Sequence, residues 1–254
     1  MELSEAQFER YARHLVLDEI GEEGQRKLMA ARVLVVGAGG LGSPLLLYLA
    51  AAGIGVLGIV DDDTVDLSNL QRQIVHATES IGMAKVESAK RTLHHINPEV
   101  KIETHRLRLA AENVMGLIGA YDLVADGSDN FATRYLLNDT CFALKKPLIG
   151  AALSPFEGQL STFKPYLGPP HPCYRCLFRE PPPPDSVPRC ETAGILGAIA
   201  GVMGTLQATE VLKEIVGVGE SLSGALLVYD ALRTDFHRIK LPRDPDCPTC
   251  GTSV

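Results

Sequence analysis

The chain has 254 residues, 46% of them hydrophobic and 22% charged, with a formal net charge of −7. That length can bury a large α/β core, and the acid excess excludes bulk attraction to nucleic acid or to an anionic membrane, so any phosphate site has to be local. Met1–Glu9 carries three acids and no apolar core, so no signal peptide is expected and the chain reads as cytoplasmic.

Residues 4–30 read as two short helices joined by Asp18–Gly21, with Arg10, Arg13 and His14 on the first. An apolar strand, Val33–Val36, then runs into Gly37-Ala-Gly39-Gly40-Leu-Gly42, a GxGxxG turn. A helix over 41–52 closes at Gly53, and a second strand, 55–60, ends on Asp61-Asp62-Asp63. Strand, glycine turn, helix, strand and acid, with Asp61 19 residues after Gly42, is the order of a dinucleotide-type βαβ unit. The glycines let backbone approach a phosphate, the helix N-terminus offers unpaired N–H groups, and the acid can take ribose hydroxyls.

With the first strand bounded at 32–37, further strands are expected at 99–104, 122–126 and 147–150, and helices at 80–95, 110–119 and 130–145. Such alternation predicts a parallel sheet with helices on both faces. Beyond Lys146, where 14 of the 16 prolines lie, the alternation ends. Glu157–Lys164 and Gly224–Tyr229 alternate as strands, and Thr234–Lys240 pairs with the latter as a hairpin. Pro181–Pro184 cannot be helix or central strand and reads as an exposed crossing loop. Thr192–Thr209 carries no charge, but it is short for a span and holds four glycines, so it reads as a buried, small-faced helix. The fold class is thus α/β: a Rossmann-like mixed sheet, parallel in its N-terminal part and antiparallel in its C-terminal part. One domain over 1–254 is expected, with 31–150 as the nucleotide-binding part and 151–254 as a second part of the same unit.

Two C-x-x-C pairs, Cys173/Cys176 and Cys247/Cys250, suit a Cys₄ zinc site that staples the tail to the proline-rich middle. Disulfides or a redox pair are the alternatives, and a cytosolic chain with two such pairs favours zinc. After the acids come Ser68, Asn69, Gln71 and Arg72, then Lys85 opening a helix, so two cations follow the glycine turn at a distance that suits a triphosphate. Asp126-Gly-Ser-Asp129-Asn130 ends another strand at the same sheet edge, where a carboxylate can hold Mg²⁺. Taken singly, Asp129 could be a helix cap and Lys85 a solvated lysine; together they converge on one loop.

These residues resemble the ubiquitin-activating-enzyme-like adenylyltransferases of the MoeB/ThiF/HesA family. The resemblance runs from Arg10-Tyr-Ala-Arg13-His through the GAGGLG loop, Asp61–Gln73, Gly82-Met-Ala-Lys85, Asp126–Asn130 and both cysteine pairs to Gly224–Asp230. It implies ATP-dependent adenylation of the C-terminal glycine carboxylate of a small ubiquitin-like sulfur-carrier protein ending in Gly-Gly, releasing pyrophosphate. The acyl adenylate would serve molybdopterin, thiamine or related biosynthesis. The resemblance places Gly37, Gly39, Gly40, Gly42, Asp61, Ser68, Asn69, Gln71, Arg72 and Lys85 around the nucleotide, and Asp129 at the magnesium beside Asn130. Residues 151–254 become the carrier-binding, zinc-stapled part. Arg13 matches an arginine that acts in trans, which implies a homodimer. Cys190 matches a cysteine that links covalently to the carrier in some relatives and is dispensable in others; an apolar filler is its plainer reading. The chain stops just after Cys250, so a separate sulfurtransferase or cysteine desulfurase is expected to supply sulfur. An NAD-dependent oxidoreductase and a non-catalytic, zinc-stapled binder of a ubiquitin-like protein are the competing readings. The Asn69/Arg72/Lys85 set speaks against the first, and the presence of Arg72, Lys85 and Asp129 against the second.

Overall fold

The computed structural model describes residues 2–183 and 194–251. The apolar runs build one eight-stranded sheet: β1 (Arg32–Val36), β2 (Val56–Val60), β3 (Lys101–His105), β4 (Leu123–Asp126), β5 (Leu148–Leu153), β6 (Glu157–Phe163), β7 (Ala225–Asp230) and β8 (Asp235–Lys240). Their order is β3-β2-β1-β4-β5-β6-β7-β8. The first five pair in parallel and the last three join antiparallel, so the expected division of the sheet is observed.

Alternation along β1 explains why it sits centrally. Val33 and Val35 pack into one apolar cluster with Leu45 and Leu49, while Leu34 and Val36 face the other cluster with Ile118 and Leu137. Helices cover both faces: α4 (Gly42–Ala52), α5 (Lys85–Ile96), α6 (Ala111–Gly119), α7 (Phe131–Leu144) and α9 (Gly197–Val216). Three short helices precede β1, namely α1 (Glu5–Arg10), α2 (Ala12–Leu15) and α3 (Gly21–Ala30), and a single turn, α8 (Tyr174–Leu177), follows β6. The edge strand β8 is exposed throughout and alternates Asp235, His237 and Arg238 with Phe236 and Ile239, charge placement that discourages edge-to-edge pairing.

Three boundaries differ from expectation. The first N-terminal helix divides at Tyr11, which turns inward and accepts a 2.9 Å bond from Asn97 Nδ2. The helix expected from residue 80 starts at Lys85, because Gly82 takes a φ of +85° after a 3₁₀ turn at Thr78–Ser80. The uncharged helix begins at Gly197 and continues past Glu210 and Lys213, which pair with each other while Glu210 Oε2 also accepts the Leu222 N–H at 3.1 Å. At Gly204 its small face packs within the subunit, where a Cβ would lie 2.5 Å from the Leu41 carbonyl and from Pro44, whereas a Cβ on Gly201 would meet nothing within 4 Å. Among the described residues no helix is long and apolar enough to cross a membrane.

Candidate nucleotide site and cysteine cluster

The sheet order reverses between β1 and β4, and open α/β sheets bind ligands at that point, beyond the carboxyl ends of the strands. A cavity of about 680 Å³ opens there, within the ~300–1,000 Å³ usual for small-molecule sites. Gly37, Gly39 and Gly40 form one wall, Asp61, Asn69, Arg72 and Lys85 a second, and Asp129 and Asn130 a third. Nine of the residues singled out in the sequence therefore share one cavity.

The glycine turn has a steric reason. Gly37 adopts a φ of +95°, and a Cβ on Gly42 would lie 1.9 Å from the Gly37 carbonyl oxygen, so the turn closes only without side chains there. Gly42 is thus a packing residue behind the loop and does not line the cavity. Asp61 clamps the turn: its Oδ2 accepts the Ala38 N–H at 2.8 Å and its Oδ1 the Asp63 N–H at 2.9 Å. Each carboxylate oxygen keeps a lone pair for a further donor.

Lys85 opens α5 and is buried, its Nζ 2.8 Å from Asp63 Oδ2. It is therefore a held cation and not a solvated helix lysine. Arg72 donates from Nη1 to the Ser68 carbonyl at 3.1 Å. Asn130, and not Asp129, caps α7: its Oδ1 accepts the Thr133 N–H at 2.9 Å. Capping by Asn130 leaves the exposed Asp129 carboxylate on the cavity wall with no hydrogen-bond or ion-pair partner among the described residues. The neighbouring Asp126 is fully buried; burial pushes its carboxyl upward, against Arg134 and the 2.8 Å bond from the Ser128 N–H.

Three further expected residues lie outside the cavity. Ser68 is exposed and donates to Asp66 Oδ1 at 2.6 Å. Gln71 is exposed, and a Cβ on Gly197 would collide with its carbonyl oxygen. Neither lines the cavity. Arg13 is exposed on α2, outside the cavity of its own chain. Cys190 falls outside the described residues.

Sequence reasoning missed Asp63, Gln73, His76 and Arg134. Arg134 lines the cavity, donates from Nη2 to the Ser128 carbonyl at 2.9 Å and lies 5.6 Å above the Phe131 ring. Its place on the first turn of α7, after the Asp129-Asn130 cap, was the available signal. Asp63, within the acidic run that was read for Asp61, is the partner of Lys85.

Around α8 the four cysteines converge. Cys173 Sγ lies 3.9 Å from Cys176 and 3.5 Å from Cys247, Cys176 lies 3.5 Å from Cys250, and all four sulfurs fall within 4.8 Å of one another. A tetrahedral zinc with Zn–S of about 2.3 Å needs sulfur–sulfur edges of roughly 3.8 Å, so the set fits the ion. The Asp244 N–H points at Cys176 Sγ from 3.4 Å, and Phe142 packs beside the cluster.

Residues 11–249 match the family model described as the ThiF family. The chain belongs to this family. It is 48% identical over 251 residues to the SAMP-activating enzyme E1 of Haloferax volcanii, covering 99% of this chain and 92% of that protein. It is 47% identical over 253 residues to the sulfur carrier protein adenylyltransferase of Thermus thermophilus, covering 99% and 93%. The solved structure of E. coli MccB with AMPCPP and selenomethionine MccA superposes with a TM-score of 0.84 at 23% identity, covering 99% of this chain and 76% of that one, and shows the shared fold. Neither the Haloferax nor the Thermus relative is described as an oxidoreductase.

Proposed function

We propose that this ThiF-family chain is an adenylyltransferase that activates the C-terminal glycine carboxylate of a small ubiquitin-like sulfur-carrier protein with ATP. The observation that carries the reading is the convergence of the glycine loop, Asp61, Asn69, Arg72, Lys85 and Asp129 on one cavity at the sheet's switch point. The names of its relatives in Haloferax and Thermus support the substrate class.

The chain's residues divide the work as follows. The loop backbone at Gly39 and Gly40 receives phosphate oxygens, and Asp61 and Asn69 take the ribose. Arg72 and Lys85 stabilise charge that builds on the leaving pyrophosphate, the electrostatic term that dominates such transfers. No general base is required, because the attacking carboxylate is already ionised near neutral pH. Asp129, unpaired and facing the cavity, is the residue that would hold Mg²⁺, which supplies Lewis-acid stabilisation of phosphoryl oxygens. Cys173, Cys176, Cys247 and Cys250 hold a structural zinc whose closed ligand set keeps it out of the chemistry.

The enzyme acts as a homodimer in which Arg13 reaches the partner's site. Sulfur reaches the adenylate from another protein, a sulfurtransferase or cysteine desulfurase. Among the described cysteines none is placed to carry that sulfur: Cys141 is buried with its thiol pushed up, and the other four sit in the cluster. By the family resemblance, Cys190 is the position for a covalent link to the carrier. Residues 1–254 act as one unit, with 151–254 receiving the carrier.

ATP–pyrophosphate exchange tests the reading. Exchange should require a carrier ending in Gly-Gly and vanish when the terminal glycine is trimmed. Carrier-independent exchange, or NAD binding in place of ATP–Mg²⁺ in a thermal-shift assay, overturns it.

A further inference from the structure

The glycine loop does not stand alone. The segment that follows Asn69 runs beneath it, and three of its residues meet three loop residues in reverse order. A methyl placed on Gly40 would lie 3.6 Å from Arg72 Cγ, and one on Gly39 would lie 3.7 Å from Gln73 Nε2. His76 Nε2 lies 2.9 Å from the Ala38 carbonyl oxygen. Among these three, His76 makes a hydrogen bond to the loop backbone.

Its other ring nitrogen, Nδ1, lies 2.9 Å from Ser88 Oγ. A carbonyl oxygen only accepts, so Nε2 carries the proton and Nδ1 accepts from the serine hydroxyl. The ring is buried, which holds its pKa below the usual imidazole value and keeps it neutral, consistent with that tautomer. Ser88 sits one turn after Lys85 on α5, and Thr92 Oγ1 on the same helix donates to the Val75 carbonyl at 2.7 Å. His76 therefore links the loop to the helix that bears the phosphate-facing lysine.

The consequence follows from peptide geometry. The Ala38–Gly39 peptide is planar and trans, so its C=O and N–H point in opposite directions. Pinning the Ala38 oxygen on the His76 side turns the Gly39 N–H the other way. Gly39 lines the cavity, and its N–H has no partner among the described residues. We infer that His76 is a positioning residue: its Nε2–H fixes the Ala38–Gly39 peptide so that the Gly39 N–H is presented to a nucleotide phosphate oxygen. The inference rests on the ATP-binding reading of this cavity.

The test compares two uncharged replacements in the full-length chain, His76→Leu and His76→Gln. Leucine fills the space without a donor, whereas glutamine can return an N–H near the Nε2 position. Affinity for a non-hydrolysable ATP analogue with Mg²⁺ is read by calorimetry, and KM for ATP and for the carrier is read in pyrophosphate exchange. His76→Leu should weaken nucleotide binding about tenfold, the usual worth of one well-made hydrogen bond to a charged ligand. Its KM for the carrier should stay within about twofold, and His76→Gln should recover most of the nucleotide affinity. Equal affinity in the leucine variant and wild type, or an equal loss in both variants, overturns the inference. Should the leucine variant not fold, His76→Phe carries the test, since it keeps a planar ring that cannot donate to the Ala38 carbonyl; unchanged nucleotide affinity there also overturns it. Failure of the wild-type chain to bind the analogue strikes the ATP reading itself and is thereby distinguished.

Discussion

Lys85 Nζ and Asp63 Oδ2 sit 2.8 Å apart, yet the lysine side chain is 7% exposed and the carboxylate 70%. The cation is fixed by its helix and its burial, while its acid partner stands in solvent. A triphosphate entering the cavity can therefore replace Asp63 as the lysine's partner without moving the lysine. Lys85→Ala and Arg72→Ala should each lower the adenylation rate by about 10²–10³-fold, the usual loss on removing one electrostatic stabiliser. Asp63→Asn leaves the lysine in place and should cost less than about tenfold, since the exposed ion pair contributes little on its own. Single-turnover formation of the carrier adenylate separates the three. A rate for Asp63→Asn as low as that of Lys85→Ala would assign the acid a direct part in the site.

Asp129 offers a second test. Because Asn130 takes the capping role, the Asp129 carboxylate contributes nothing visible to the fold of α7. Asp129→Ala should therefore abolish Mg²⁺-dependent adenylation while leaving the melting temperature within about 2 °C of wild type, as expected for a surface substitution. A Mg²⁺ titration of the residual rate is the measurement. Activity near wild type at ordinary Mg²⁺ would move the metal to another group.

Much of the fold was legible because the central strands are continuous apolar runs bounded by glycine or acid, and runs of that length are too short for a buried helix. Helix limits were less legible for reasons outside any local window. Tyr11 breaks the first helix to reach Asn97, 86 residues away, and Glu210 extends the last because its charge is met by Lys213 and the Leu222 N–H. The site divides along the same line. Glycines and acids at strand ends reveal themselves by position, since the sheet edge collects them. The polar run from Ser68 to Gln73 does not, because its inward and outward residues are set by 3₁₀ and turn geometry: Asn69, Arg72 and Gln73 face the cavity while Ser68 and Gln71 do not. His76 was invisible for a similar reason, as its partners Ala38 and Ser88 come from either side of it in the chain.

The cysteine cluster makes a prediction about stability. It joins α8 to the C-terminal segment, near Arg243, whose guanidinium donates to the Pro165 carbonyl at 2.8 Å and to the Cys250 carbonyl. A structural zinc contributes folding free energy directly. Purified protein should contain one zinc per chain, and Cys250→Ser or exhaustive chelation should lower the melting temperature well before it lowers the rate of nucleotide chemistry in the protein that stays folded. Metal analysis by mass spectrometry and a thermal melt suffice. A metal-free chain carrying disulfides at these positions would remove the zinc staple.

Arg13 gives the sharpest test of the shared-site proposal. It is exposed on α2, ahead of the nucleotide fold, and lies outside its own chain's cavity. On the shared-site proposal, a second copy brings this cation to the site. Two inactive variants, Arg13→Ala and Asp129→Ala, can then rescue each other when their subunits exchange. In the mixed dimer one site carries both defects and the other carries neither, so activity should return to about half of the wild-type dimer by simple site counting. If Arg13 acts within its own chain, every site keeps one defect and mixing restores nothing. Differently tagged subunits, purified as heterodimers and assayed by pyrophosphate exchange, decide between these outcomes. Heterodimers that form but stay inactive would confine Arg13 to its own subunit and leave the adenylation reading intact.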